Sequence, residues 1–350
     1  MKSLPSIFFS VLLLGTLTGT LSSCSEKEDR SVSDAKITFA NPVISPSTRV
    51  SSVNPIFPEN QSFKVFAQWD KEEFKSWGGT GSVLYMDNVE TKYDATKMGW
   101  VPIETYLWPK QGKLTFAAYA PASVTGTYGK EGLQIADFTV PAEGNVDLLY
   151  SRRSYNRNSS ITLGNLSSPY QGVDIVFQHA LCQIQFTIKT IAQNETKQLE
   201  SLTLRNVHSK GQFNERVIED SDGPFDVYRT DDSRYRKWHL TGTANSSYTI
   251  IQNMEVTSVK KTSASFILMP QRFSPGPGPQ GNTIDSEFAE LIFKWEGVPE
   301  ADVIKLSDII LVWEPGKSYT YNITVGSSMI NFKPAIPGDW IDQGGIDIKP

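Results

Sequence analysis

The residue with the clearest chemistry is Cys24, where Leu21-Ser22-Ser23-Cys24 closes a short apolar stretch at the N-terminus. Lys2 supplies a basic start, Ile7 to Leu21 form an apolar run broken by Gly15 and Gly19, and two serines place small residues ahead of the cysteine. That order is the order of a secretory signal peptide, expected over residues 1–23. An ordinary signal leaves the next residue unconstrained. A cysteine there resembles the bacterial lipobox, in which the thiolate takes a diacylglycerol and becomes the first residue of an anchored chain, and only cysteine offers that nucleophile. The apolar stretch is short for a membrane span. Two or three acyl chains, at about 0.8 kcal/mol per buried CH₂, anchor a protein stably where one does not.

The other reactive side chains do not assemble into a second chemistry. Cys182 has no disulfide partner once Cys24 carries lipid, and it belongs to the apolar face of an alternating run, Ala180, Cys182, Ile184, Phe186, Ile188. It reads as a small buried hydrophobe with an inert thiol. Gly78-Gly79-Thr80-Gly81-Ser82 is glycine-rich, but no lysine or helix pattern follows it to bind phosphate. His179, His208 and His239 lie on separate strand patterns without ligand spacing, and His179 reads as structural, at a strand bulge. Asp231-Asp232 beside Arg234, Arg236 and Lys237 is a charged loop without the alternating oxygen ligands of a calcium site. There is no HExxH, GxSxG or GxxxxGK[ST]. No catalytic, cofactor or metal residue is assigned, and an enzyme is not expected.

The charge balance narrows the partners. A formal net charge of −5 and an isoelectric point of about 5.4 provide no basic field for nucleic acid or anionic lipid. With 39% hydrophobic residues and no later run of spanning length, the mature chain is expected to be soluble apart from its anchor.

The elements that must carry these residues are β-strands. After a polar tether, Ser25 to Ser31, short alternating or β-branched runs recur between Gly, Pro, Asn and Ser clusters, which is the rhythm of an all-β sandwich. One set of expected strands runs from Lys36–Phe39 to Ile161–Leu163; a second opens with Val173–Phe177 and ends with Ser318–Val325. Glu195–Glu200 and Val303–Leu306 read as isolated helical turns. The cluster Gly164 to Gly172 marks a domain break near residue 170, giving 24–49 as tether and first strand, 50–170 as one sandwich and 171–350 as another. Trp69, Trp108, Trp295 and Trp313 are expected in cores, whereas Trp77 and Trp100, in polar contexts, are kept as possible surface rings for sugar stacking.

Several motifs in order resemble the fimbrillin family of Bacteroidales, the type V pilins and their accessory subunits. They are Tyr106-Leu107-Trp108-Pro109, Leu114 to Pro121, Asp147-Leu148-Leu149-Tyr150 and Phe177 to Leu181, then Leu204 to Val207, Ile267 to Gln271 and Pro315 to Tyr321. Lys27-Glu28-Asp29 after the lipobox resembles a surface-export signal of Bacteroides-type lipoproteins, and reads equally as a solvated spacer. The resemblance implies two tandem transthyretin-like β-sandwich domains after a lipoprotein signal peptide, displayed on the outer membrane through the lipid. It also implies an arginine-specific cut that removes the first strand, so that a strand of another pilus subunit fills the groove. Thr48-Arg49-Val50 matches that cut, in an exposed Pro/Ser context, and Arg30 is a second candidate.

The donor candidate is the C-terminal tail, where Ile330 and Phe332 alternate and Ile341, Ile346 and Ile348 follow; the alternative is that these residues close their own sandwich. No cofactor is expected, and the adhesion ligand on a host or bacterial surface is not encoded legibly. The rival from another class is a surface glycan-binding lipoprotein feeding a transporter, resting on Trp77 and Trp100.

Overall fold

The computed structural model describes residues 36–45, 56–72, 76–109, 112–130, 132–151, 154–158, 172–215, 237–273, 288–310, 312–327, 330–333 and 338–340. Among them the strands form four sheets and there is no α-helix. The first sheet runs in the order β1 (Val43–Ile44), β10 (Val176–His179), β8 (Leu149–Ser151), β5 (Lys113–Ala120), β2 (Ser62–Asp70), β3 (Ser82–Asp94), β4 (Gly99–Pro102), with β9 (Ser154–Asn158) also paired to β5.

The sequence of β5, Leu-Thr-Phe-Ala-Ala-Tyr-Ala after Lys113, is apolar on both faces, so the strand lies at the centre with both faces covered. Leu114, Phe116, Ala118 and Ala120 enter one core with Phe63, Val65 and Trp100; Ala117 and Tyr119 enter the other with Leu133 and Ile135. The Tyr119 hydroxyl donates to Asn88 Oδ1 at 2.6 Å and accepts the Gly126 N–H at 2.9 Å, which satisfies its polar end inside that second core.

The second sheet joins the two halves of the chain. β6 (Thr127–Gly129) and β7 (Gly132–Thr139) come from before residue 170; β13 (Lys210–Asn214) and β14 (Trp238–Leu240) come from after it, and β7 pairs with β13 antiparallel. Val173–Phe177, grouped above with the downstream strands, instead belongs to the first sheet. Phe177 pairs with Ser151, and Val173, Ile175 and Phe177 bury in the first core, where aromatic neighbours outweigh closeness in the chain to the strand at Cys182–Thr190.

The third sheet holds β11 (Cys182–Thr190), parallel to β20 (Lys317–Val325) on one side and antiparallel to β16 (Lys261–Thr262) and β17 (Phe266–Leu268) on the other; β21 (Ile330–Lys333) and β22 (Gly338–Asp339) pair with β20. The fourth has the order β15 (Ser246–Val256), β12 (Lys197–Val207), β18 (Glu290–Trp295), β19 (Asp302–Lys305). The inward faces of these two sheets share one core, with Phe186 and Tyr321 stacked at 5.0 Å and the Trp313 indole N–H donating to the Tyr321 hydroxyl at 2.8 Å. The two expected helical turns are strand: Lys197 opens β12, and Asp302–Lys305 forms β19 before a 3-10 turn at Leu306–Asp308. Ladder bonds to neighbouring strands override the helical composition of those short segments.

Candidate strand-exchange site

The segment 36–45 closes the first sheet on itself. Its apolar residues alternate and then shift phase at Pro42, so Ile37, Phe39, Pro42 and Ile44 turn inward while Thr38, Ala40 and Val43 stay half-exposed. On one side the backbone runs parallel to β10 and the stretch before it. The Val173 N–H donates to the Thr38 carbonyl at 2.8 Å, and the Ala40, Val43 and Ser45 N–H groups donate to Val173, Ile175 and Phe177 at 3.0, 3.1 and 2.8 Å. On the other side it runs antiparallel to the opposite edge, where Ile37 N–H donates to Tyr106 at 2.8 Å and Phe39 N–H to Trp100 at 2.9 Å. One short strand thus covers two sheet edges that would otherwise present unpaired backbone.

Its side chains fill defined slots. The Phe39 ring meets Phe63 and Phe116 edge-on, with centroids 5.9 and 5.8 Å away, and is 1% exposed. Phe57, just beyond the next stretch of chain, is equally buried and packs on Phe63, Trp100 and Phe177. Gly172 sits where the backbones press together: its φ is +100°, and a Cβ there would collide with Phe39 C and Ala40 N. Each large buried side chain of the segment contributes about 1.5–3 kcal/mol, a stabilisation held by non-covalent contacts to the body of the sheet. Near its start, Tyr106 has its hydroxyl pKa raised, first by burial and then by the Glu104 carboxylate that accepts its hydrogen bond at 3.2 Å.

Cys24, Arg49, Val50, Ile341, Ile346 and Ile348 lie outside the described residues, as do Arg30 and Asp231-Asp232. The chain on either side of 46–55 is described: Ile44 upstream and Phe57 downstream both enter the first core. In the C-terminal region, Ile330 and Phe332 are self-paired, opposite Val325 and Ile323 of β20, with Phe332 5.9 Å from Phe293. Trp340, 1% exposed, stacks on His179 with centroids 3.7 Å apart, and His179 Nδ1 lies 2.6 Å from Asp147 Oδ2. His179 is therefore structural, at the end of β10.

Trp77 and Trp100 are not surface rings. Trp77 is 4% exposed and packs on Tyr128; Trp100 is fully buried between Phe57, Phe63 and Tyr93. The glycan-stacking alternative loses both residues that carried it. Their polar sequence neighbours hid the fact that strand pairing in β4 turns Trp100 inward and that the turn carrying Trp77 folds its ring onto Tyr128. Cys182 is buried, its thiol donates to the Leu268 carbonyl at 3.2 Å, and burial pushes its pKa well up, the condition of an unreactive thiol. Among the described residues no group of three or more His, Cys, Asp or Glu is placed to hold a metal ion, and no helix is long and apolar enough to cross a membrane. The Trp100 and Tyr106 edge and Phe57 had not been expected at the site; only the apolar spacing of Phe57 after the proline cluster signalled it.

A family model described as fimbrillin-like matches residues 48–340. A search of curated proteins finds no match. Among solved structures, the fold is similar to a candidate cell adhesion protein from Bacteroides uniformis ATCC 8492, at 14% identity and a TM-score of 0.50, covering 87% of this chain and 99% of that one. It is similar to a second candidate cell adhesion protein, from Bacteroides ovatus ATCC 8483, at 14% identity and a TM-score of 0.50, covering 88% of this chain and 99% of the other.

Proposed function

The chain belongs to the fimbrillin-like family, and on that premise we propose that it is a pilus subunit serving adhesion, exported as a lipoprotein through Cys24 and joined to its neighbours by strand exchange. In this reading the lipid moors the protein to the outer membrane, a cut between Arg49 and Val50 frees the segment 24–49, and a strand from another subunit takes its place. The sequence order of tether, plug strand, Arg49 and sandwich supports this reading.

One observation carries the reading: residues 36–45 supply buried side chains and edge hydrogen bonds to the first sheet, yet precede Arg49 in the chain. A single cut would turn that strand into a separable ligand. Its groove would then present open edges on both sides and empty apolar slots, the acceptor geometry of β-augmentation. The donor is proposed to be the tail with Ile341, Ile346 and Ile348, while Ile330 and Phe332 remain in their own sheet.

The test is polymerisation of the purified full chain with a trypsin-like protease. Cleavage after Arg49 is expected to precede SDS-resistant ladders, and Arg49→Ala is expected to abolish them. Ladders of undiminished strength from Arg49→Ala, or ladders whose subunits keep an intact N-terminus, would overturn the mechanism. Cys24→Ala should remove both fatty-acid labelling and membrane partitioning; retained label would overturn the anchor.

A further inference from the structure

The strand that closes the first sheet turns inward at Ile37, Phe39, Pro42 and Ile44, positions spaced two, three and two residues apart. That spacing reads the same in both directions. The tail carries Ile341, Gln343, Ile346 and Ile348 at the same spacing, so it can be threaded through the groove either way. Resting on the strand-exchange reading above, we infer that the tail of a second copy enters in the direction opposite to the strand it replaces. Ile348 then takes the slot of Ile37, Ile346 that of Phe39, Gln343 that of Pro42 and Ile341 that of Ile44.

Gln343 decides the direction. Threaded the same way as the resident strand, its amide falls in the Phe39 slot, walled by the rings of Phe63 and Phe116 at 5.9 and 5.8 Å. A primary amide there strands two N–H donors and a carbonyl oxygen against phenyl carbons. Threaded in reverse, the amide falls at the Pro42 slot, where the Phe57 N–H already reaches the strand at 2.8 Å, so polar backbone is at hand. An aliphatic side chain, Ile346, enters between the phenyl rings instead.

The edges favour the same answer. The resident strand is parallel to β10, along the longer of its two ladders, and reversal makes that ladder antiparallel, the slightly more stable pairing per residue. Both directions set a glycine at the position of Ala40, Gly345 in reverse and Gly344 forward, where Gly172 allows little room between backbones, so this position is neutral between them.

The two directions put different residues beside Val176, which now pairs with Val43. Reverse threading brings Asp342 there; forward threading brings Asp347. The experiment pairs Val176→Cys with Asp342→Cys or with Asp347→Cys in the full chain, cleaves after Arg49, assembles under mild oxidation and reads intersubunit disulfide on non-reducing gels. Cys182 is buried and Cys24 leaves with the removed segment, so neither competes. The Asp342→Cys pair is expected to cross-link in at least about tenfold higher yield. A dominant Asp347→Cys cross-link overturns the direction and leaves strand exchange standing; polymers with neither cross-link overturn the tail as donor altogether.

Should the double-cysteine chains fold poorly, peptides of residues 340–350 binding to the cleaved wild-type protein give the same discrimination. Ile346→Phe, which restores a phenyl ring to the Phe39 slot, is expected to bind at least about tenfold tighter than Gln343→Phe. The opposite order overturns the proposal.

Discussion

The imidazole of His179 lies flat against the indole of Trp340, their centroids 3.7 Å apart and their planes 7° from parallel. His179 ends β10 in the first sheet, whereas Trp340 follows β22 on the third, so the contact pins the root of the tail at the seam between them. Beneath it, His179 is fixed by Asp147, 2.6 Å away and equally buried.

Removing that indole should loosen the tail root and lower stability together. Trp340→Ala is expected to cost about 3–5 kcal/mol, as large-to-small changes at buried aromatics do. Denaturant unfolding measures the cost, and limited proteolysis should show earlier cleavage near residue 340. An unchanged midpoint with unchanged proteolysis would place the tail root elsewhere.

Phe39→Ala should be costly only while residues 36–45 occupy their groove. In the uncleaved chain the expected loss is about 3–5 kcal/mol, from the emptied space between Phe63 and Phe116. After cleavage and exchange the substitution leaves with the segment, so polymers from variant and wild type should dissociate at the same temperature. Equal sensitivity before and after exchange would mean that the segment stays.

Alkali should destabilise the second core, where two tyrosine hydroxyls are buried. Burial raises the Tyr248 hydroxyl from 10.0 to about 12, and Tyr321 is shifted further in the same direction, mainly by burial. In the unfolded chain each ionises near pH 10, so between pH 10 and 12 the folded state holds more protons and stability falls as pH rises. Below pH 10 the contribution is fully present. Tyr248→Phe should flatten this fall by roughly 2–3 kcal/mol across that window, read from urea midpoints at successive pH values.

Much of the β architecture was legible because its signals are local. Alternation from Cys182 to Lys189 marks β11, and the doubly apolar run after Lys113 marks a central strand. The strand at 36–39 could be read as well, but its neighbours could not. Phe39 bridges Trp100 and Val173, more than sixty and more than a hundred and thirty residues away, and no local pattern encodes such pairings. β15 escaped because its alternation is broken: Ile250 and Ile251 are both buried at a register shift against β12, and Asn253 adopts a φ of +53°. Trp100 was misplaced because Lys97, Met98 and Gly99 suggest an exposed turn, which indeed precedes it, while the indole itself points into the core.

The pairing of β7 with β13 bears on how a fibre made of such subunits would flex. Parting the two halves means breaking that ladder and wetting Ile135, Phe138, Phe213 and Trp238, which lie in one continuous apolar cluster. Each subunit therefore behaves as one stiff body rather than as two beads on a hinge. A filament under drag would bend at the joints between neighbours rather than within a subunit.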